Sequence, residues 1–64
     1  MPYIFVQMWS GKTEDQKRQL AKAITDAMEN IGKVTRENVW VVFEDVEKSN
    51  WAIGGQLASE MSKG

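Results

Sequence analysis

Tyr3-Ile4-Phe5-Val6-Gln7-Met8-Trp9 opens the chain with β-branched and aromatic residues, and Ser10-Gly11 stops the run. Such a composition reads as a strand over residues 3–9. The strand is apolar on both faces, so both are expected to be covered, one by a helix and the other by a second subunit. The next twenty or so residues supply the helix. Thr13-Glu14-Asp15-Gln16 matches a capping box, in which the Thr13 hydroxyl accepts from the Gln16 amide and the Gln16 side chain reaches back. Glu14 and Asp15 suit the positive end of the helix dipole. Leu20, Ile24, Ala27, Met28 and Ile31 recur at helical spacing, and Gly32 stands where a glycine ends a helix, which sets the helix at 13–31. Residues 33–38 are polar and read as a loop. Val39-Trp40-Val41-Val42-Phe43 is a second strand, again apolar on both faces. Two strands joined by a helix make a βαβ unit, which implies parallel strands and a right-handed crossover. Residues 44–50 read as a charged connection, and Gly54-Gly55 as the tight turn of a short C-terminal hairpin. The expected fold class is α/β, with one domain over residues 1–64.

Length limits how such a unit can be stable. A chain of 64 residues buries only about 60 % of its unfolded surface, and a lone core of that size rarely supplies more than ~3–5 kcal/mol. Disulfides, metals or oligomerisation are the usual supports. The chain has no Cys and no His. Disulfides, thiolate metal sites, cysteine nucleophiles, Ser-His-Asp triads and imidazole bases are removed together. Oligomerisation remains. Three Trp, two Phe, one Tyr and four Met are more large apolar side chains than one small core needs, and the excess reads as surface for other subunits. Eight basic and nine acidic residues leave a net charge of −1, so no basic field exists to hold nucleic acid or an anionic membrane. No apolar run approaches the ~20 residues of a membrane span, and no leader-like stretch opens the chain. The expected address is the cytoplasm.

Few side chains are left to carry chemistry. Most carboxylates stand beside turns or loops. Ser10, Ser49, Ser59 and Ser62 have no base in a recognisable arrangement, and Gly54-Gly55 lacks the Lys-Ser/Thr of a phosphate loop. Pro2 differs from all of these. Once Met1 is removed, Pro2 carries a secondary amine at the chain terminus. An amine in a partly apolar site near a cation has its ammonium form disfavoured, and its pKa falls towards neutrality. A base of that strength suits proton abstraction next to a carbonyl, and the ring limits the motion of the nitrogen. A chain that keeps Met1 has a tertiary amide there, without basicity. The competing reading is a plain proline at the first residue of a strand, where its missing N–H does no harm.

Three segments together resemble the 4-oxalocrotonate tautomerase family: Met1-Pro2 opening a strand, Gly11-Lys12-Thr13 with Glu14, Gln16 and Lys17 opening a helix, and Ala52-Ile53-Gly54-Gly55-Gln56-Leu57-Ala58-Ser59 near the end. The resemblance covers nearly the whole chain, and its closing segment is the most specific part. It implies βαβ subunits that dimerise and commonly assemble as hexamers. It also implies an amino-terminal proline that shuttles protons in keto–enol or double-bond isomerisation, with no metal or organic cofactor. Pro2 matches the catalytic proline. Lys12 stands where many members have a carboxylate-binding arginine; the charge is kept, but a lysine cannot make the planar bidentate fork. Trp40 stands where the tautomerase type has another arginine, so a cation that polarises the substrate carbonyl is lost. Trp51 matches an aromatic residue lining the pocket, and Trp9 and Ile53 resemble its apolar wall. The place near Ile53 offers no glutamate of the kind used by the family's water-activating branch.

These matches lead to an expected substrate. Losing one donor to an incipient oxyanion costs about 2.7–4 kcal/mol in comparable sites, and Trp40 offers only a neutral indole N–H. A dicarboxylate is therefore disfavoured. A monocarboxylate held by Lys12, with an apolar body among Trp9, Trp40 and Trp51, fits better. The expected function is a cofactor-independent tautomerase or isomerase acting on an enol or unsaturated keto acid. Two alternatives stay open: a non-catalytic oligomeric or small-molecule-binding member of the same fold, and an isomerase whose substrate range Trp40 has altered. Each site residue also has a plainer reading. Lys12 is then a solvated lysine, Trp40 a packing residue and Trp51 an anchor between subunits.

Overall fold

The computed structural model describes residues 1–61, and Ser62 lies outside the described residues. The order of elements is β1 (Tyr3–Trp9), α1 (Glu14–Asn30), β2 (Trp40–Val46), β3 (Ala52–Ile53) and β4 (Gln56–Leu57), with short 3-10 turns at Arg36–Asn38, Lys48–Asn50 and Ala58–Glu60. β1 and β2 are parallel and paired from Tyr3 with Trp40 to Trp9 with Val46. β3 and β4 form a separate antiparallel hairpin in which Ala52 faces Leu57 and Ile53 faces Gln56. The βαβ unit and its terminal hairpin are those expected from the sequence.

The helix begins as its sequence dictates. The Gln16 amide donates to the Thr13 hydroxyl oxygen at 3.1 Å, and the Thr13 amide donates to the Gln16 side-chain oxygen at 2.8 Å. Both arms of the capping box satisfy amides that the first turn would otherwise leave unpaired. The far end differs in detail from expectation. Ile31 still donates to the Ala27 carbonyl at 2.8 Å, and the left-handed residue is Lys33 (φ 59°), not Gly32. Gly32 answers to space instead, because a Cβ there would lie 2.7 Å from the Met28 carbonyl oxygen. At the hairpin the glycines do serve conformation. Gly54 and Gly55 have φ of 61° and 86°, the paired positive values that suit a two-residue turn between twisted strands.

Two other boundaries move. β2 starts at Trp40 and runs on to Val46, through residues that read as a charged connection. Pairing explains the extension. The Gln7 side-chain amide donates to Glu44 Oε1 at 2.8 Å across the sheet, and Lys17 of α1 reaches Asp45 at 2.7 Å. Polar residues at this end of β2 are thus matched by polar partners. The expected loop 33–38 contains the Arg36–Asn38 turn, which is tied to the helix. Asp26 accepts from Lys22 at 2.8 Å and from Arg36 at 3.2 Å, and Arg36 also donates to Glu29. The hydrogen bonds from Lys22 and Arg36 hold the Asp26 carboxyl below its ordinary pKa, and Asp26 and Glu29 raise that of the Arg36 guanidinium.

Packing leaves the unit half covered. Ile4, Val6 and Met8 of β1, with Val41 and Phe43 of β2, are half-buried on the side of α1. The helix meets them with Ala21, Ile24 and Met28, while Leu20 and Ile31 of the expected stripe are 38 % and 81 % exposed. The opposite face of the sheet has no covering layer. Tyr3, Phe5, Trp40 and Val42 stand exposed there, and Tyr3 and Phe5 stack with ring centroids 6.3 Å apart. Among the described residues only Ala58 is buried, at 6 % exposure. The radius of gyration is 14.9 Å, against roughly 11 Å for a compact globule of this length. The chain thus covers little of its own apolar surface.

Candidate active site

Four of the six residues singled out from sequence fall into two pairs. Pro2 is half-buried just ahead of β1, and its carbonyl accepts from the Trp40 amide at 3.0 Å. Strand pairing thus seats Pro2 beside Trp40, whose side chain is 54 % exposed on the open face of the sheet. Within the subunit, Trp40 is not a core residue. At the other end of β1, Trp9 meets Trp51 edge to face, with centroids 5.9 Å apart and planes at 79°. Trp51 owes its place to the Lys48–Asn50 turn and to the Ala58 amide, which donates to the Trp51 carbonyl at 2.7 Å. Lys12 follows Trp9 in the connection to α1 and is exposed. Ile53 is exposed on the hairpin. Along a parallel strand, Pro2 and Trp9 are separated by about 23 Å at ~3.3 Å per residue. The chain therefore brings Pro2 to Trp40 and Trp9 to Trp51, but does not bring the two pairs together. A single site using both pairs takes them from different copies.

Electrostatics separate the lysines. Lys17, Arg18, Lys22 and Arg36 each have an acidic partner within 4 Å. Among the described residues Lys12 has none. It lines a shallow open depression of about 410 Å³ with Gln16, Gln19, Leu20 and Ala23 on the outer side of α1. The other five candidates do not line this hollow, so it marks the surroundings of Lys12 rather than a complete site. Among the described residues no group of three or more His, Cys, Asp or Glu side chains converges to hold a metal.

Sequence reasoning passed over Lys48. Its Nζ lies 4.8 Å from the centroid of the Trp9 ring. A lysine in a polar connection carries no periodic signal. It reaches Trp9 only because β2 runs three residues beyond its expected end and returns the chain beside the last residue of β1.

Residues 2–61 match the family model described as "Tautomerase enzyme", and the chain belongs to that family. Among curated relatives, the 2-hydroxymuconate tautomerase of Bacillus subtilis (strain 168) is 34 % identical over 61 residues, covering 95 % of this chain and 98 % of that one. Among solved structures, YwhB, a homologue of 4-oxalocrotonate tautomerase, superposes with a TM-score of 0.91 at 33 % identity, covering 95 % of this chain and all of the other. A heterohexameric 4-oxalocrotonate tautomerase from Chloroflexus aurantiacus J-10-fl gives a TM-score of 0.89 at 26 % identity, covering 97 % of this chain and all of that one. The resemblance read from the sequence is to the right family, and the isomerase class follows from it. No helix among the described residues is long and apolar enough to cross a membrane.

Proposed function

We propose that the chain, as one domain over residues 1–64, is a cofactor-independent tautomerase that uses Pro2 as its base and then its acid. The observation that carries this reading is the family match, which begins at Pro2 and runs to residue 61. Met1 is 77 % exposed, so the terminus is open to processing that would free the Pro2 amine. That amine takes the proton leaving the substrate's enol hydroxyl or α-carbon and returns a proton to the carbon where the new C–H bond forms. Lys12 binds the substrate carboxylate. Trp40 beside Pro2, with Trp9, Trp51 and Ile53 from a neighbouring copy, forms the apolar surroundings that lower the amine's pKa. Trp40 brings no charge, so the substrate class is an enol or unsaturated keto acid with one carboxylate and an apolar body. The uncovered sheet face supports dimers that assemble to a homohexamer, and the heterohexameric relative supports the hexamer itself. The cytoplasm is the proposed compartment, with the cysteine-free sequence as its support.

A second reading has an observation of its own. Trp40 shares the open face with Tyr3, Phe5 and Val42, where a large indole also serves packing between copies. A non-catalytic oligomer would use it so. One comparison separates the two readings: Met1-free and Met1-bearing protein, at matched oligomeric state, assayed for ketonisation of an aryl enol pyruvate. Activity confined to the Met1-free form supports the enzyme. Equal activity in both removes Pro2 as the base, and no activity in either favours the non-catalytic reading.

A further inference from the structure

Lys48 sits in a cluster that holds its charge without neutralising it. Its ammonium lies over the Trp9 ring at 4.8 Å, and Trp9 in turn meets the edge of Trp51. Backbone bonds fix the arrangement. The Trp51 amide donates to the Lys48 carbonyl at 3.3 Å, and the Ser10 amide donates to the Val46 carbonyl at 3.0 Å, which stitches together the strand ends that carry Trp9 and Lys48. The nearest acid in sequence, Glu47, is turned to Ser10, whose hydroxyl donates to Glu47 Oε2 at 2.9 Å. Among the described residues Lys48 has no acidic partner, unlike Lys17 and Lys22. An ammonium has three donors, and an aromatic face attracts the cation while leaving donors free for an anion.

We propose that Lys48 is a specificity-determining residue whose ammonium receives the carboxylate of a substrate with an aryl or similarly flat apolar body, that body resting against Trp9 and Trp51. This rests on the tautomerase reading above and deepens it. Lys12 follows Trp9 by three residues in the sequence; where it also reaches the carboxylate, the two lysines share it in place of a single arginine fork. The arrangement selects a monoanion with an apolar body over a neutral analogue of the same shape, because only the acid gains from the charge.

The test uses the whole Met1-free protein, with Lys48→Met and Lys48→Arg compared at matched sedimentation. Binding is read from quenching of Trp fluorescence by 3-phenylpropionate and by its uncharged counterpart 3-phenylpropanamide. Turnover is read with an aryl enol pyruvate. The expected result is a Kd for the acid raised roughly five- to tenfold in Lys48→Met, the scale of a charged contact at a partly exposed site. The amide should bind unchanged, and Lys48→Arg should recover most of the loss. KM for the enol acid should rise by a similar factor, with kcat nearly constant. Equal loss for acid and amide, no loss for either, or a wild type that does not prefer the acid each overturns the proposal. Acid-selective loss of binding in a protein without turnover would leave Lys48 as an anion contact and remove the tautomerase reading. Normal turnover with no effect of Lys48→Met would do the reverse.

Discussion

The Trp40 amide donates to the Pro2 carbonyl at 3.0 Å, so the Trp40 indole is anchored on the strand beside the proposed base. Its side chain projects from the open sheet face and is 54 % exposed. An arginine at this position would not be buried within the subunit, so the cost of its charge falls on assembly, and the variant is compared at matched sedimentation. Trp40→Arg is expected to raise kcat/KM for a dicarboxylate enol more than for a monocarboxylate one. Ketonisation assays on both substrates check this. Equal effects, with fold and assembly intact, would count against a Trp40 that faces substrate.

Lys12 lies just before the N-terminus of α1, where the helix dipole disfavours a cation, and no acid among the described residues pairs with it within 4 Å. Lys12→Ala should lower kcat/KM for carboxylate substrates by about 1.5–3 kcal/mol, the scale of a charged hydrogen bond. Steady-state kinetics with an acid and its neutral ester give the answer. A change within error for the acid would return Lys12 to the solvated surface.

Assembly should be a condition of folding. Tyr3, Phe5, Trp40 and Val42 expose one apolar face, and Ala58 is the one buried residue among those described. Sedimentation at micromolar concentration is expected to show no folded 7.3 kDa species. Phe5→Lys places a charge on that face and should shift the distribution to smaller, less stable species. A wild type that sediments as a folded monomer would contradict this.

Asp26 gives the fold an acid limit. Its carboxyl is held below its ordinary pKa by hydrogen bonds from Lys22 and Arg36. A group depressed in the folded state contributes its full stabilisation above the unfolded value of about 3.9, and loses it as pH falls through the lower folded value. Asp26→Asn should therefore lower Tm near neutral pH, with the gap from wild type closing below about pH 4. Thermal melts by circular dichroism at fixed protein concentration follow that gap. A gap independent of pH would mean that Asp26 acts through packing alone.

β1, the Thr13 cap and the Gly54-Gly55 turn were legible because each is decided by residues next to one another. The face of α1 was legible only in part, at Ile24 and Met28. The helix carries two apolar stripes, one through Ala21, Ile24 and Met28 and another through Leu20, Ala27 and Ile31, and periodicity alone does not say which meets the sheet. Glu44 and Asp45 looked like loop residues because their partners, Gln7 and Lys17, are remote in sequence. For the candidate site, the family resemblance supplied the residues and strand pairing supplied their arrangement. Lys48 could not be found either way, since its relation to Trp9 exists only once β2 is seen to extend to Val46.

The separation of Pro2–Trp40 from Trp9–Trp51 along β1 has a genetic consequence. Defects at the two ends are not alleles of one local site if each site borrows from two chains. Pro2→Gly and Trp51→Ala subunits, each impaired alone, should complement when unfolded together and reassembled. The mixed oligomer would contain some sites built from the sound end of each parent, and those would recover a share of wild-type turnover that neither parent shows. A mixture no better than its parents would mean that the two ends do not meet at one substrate.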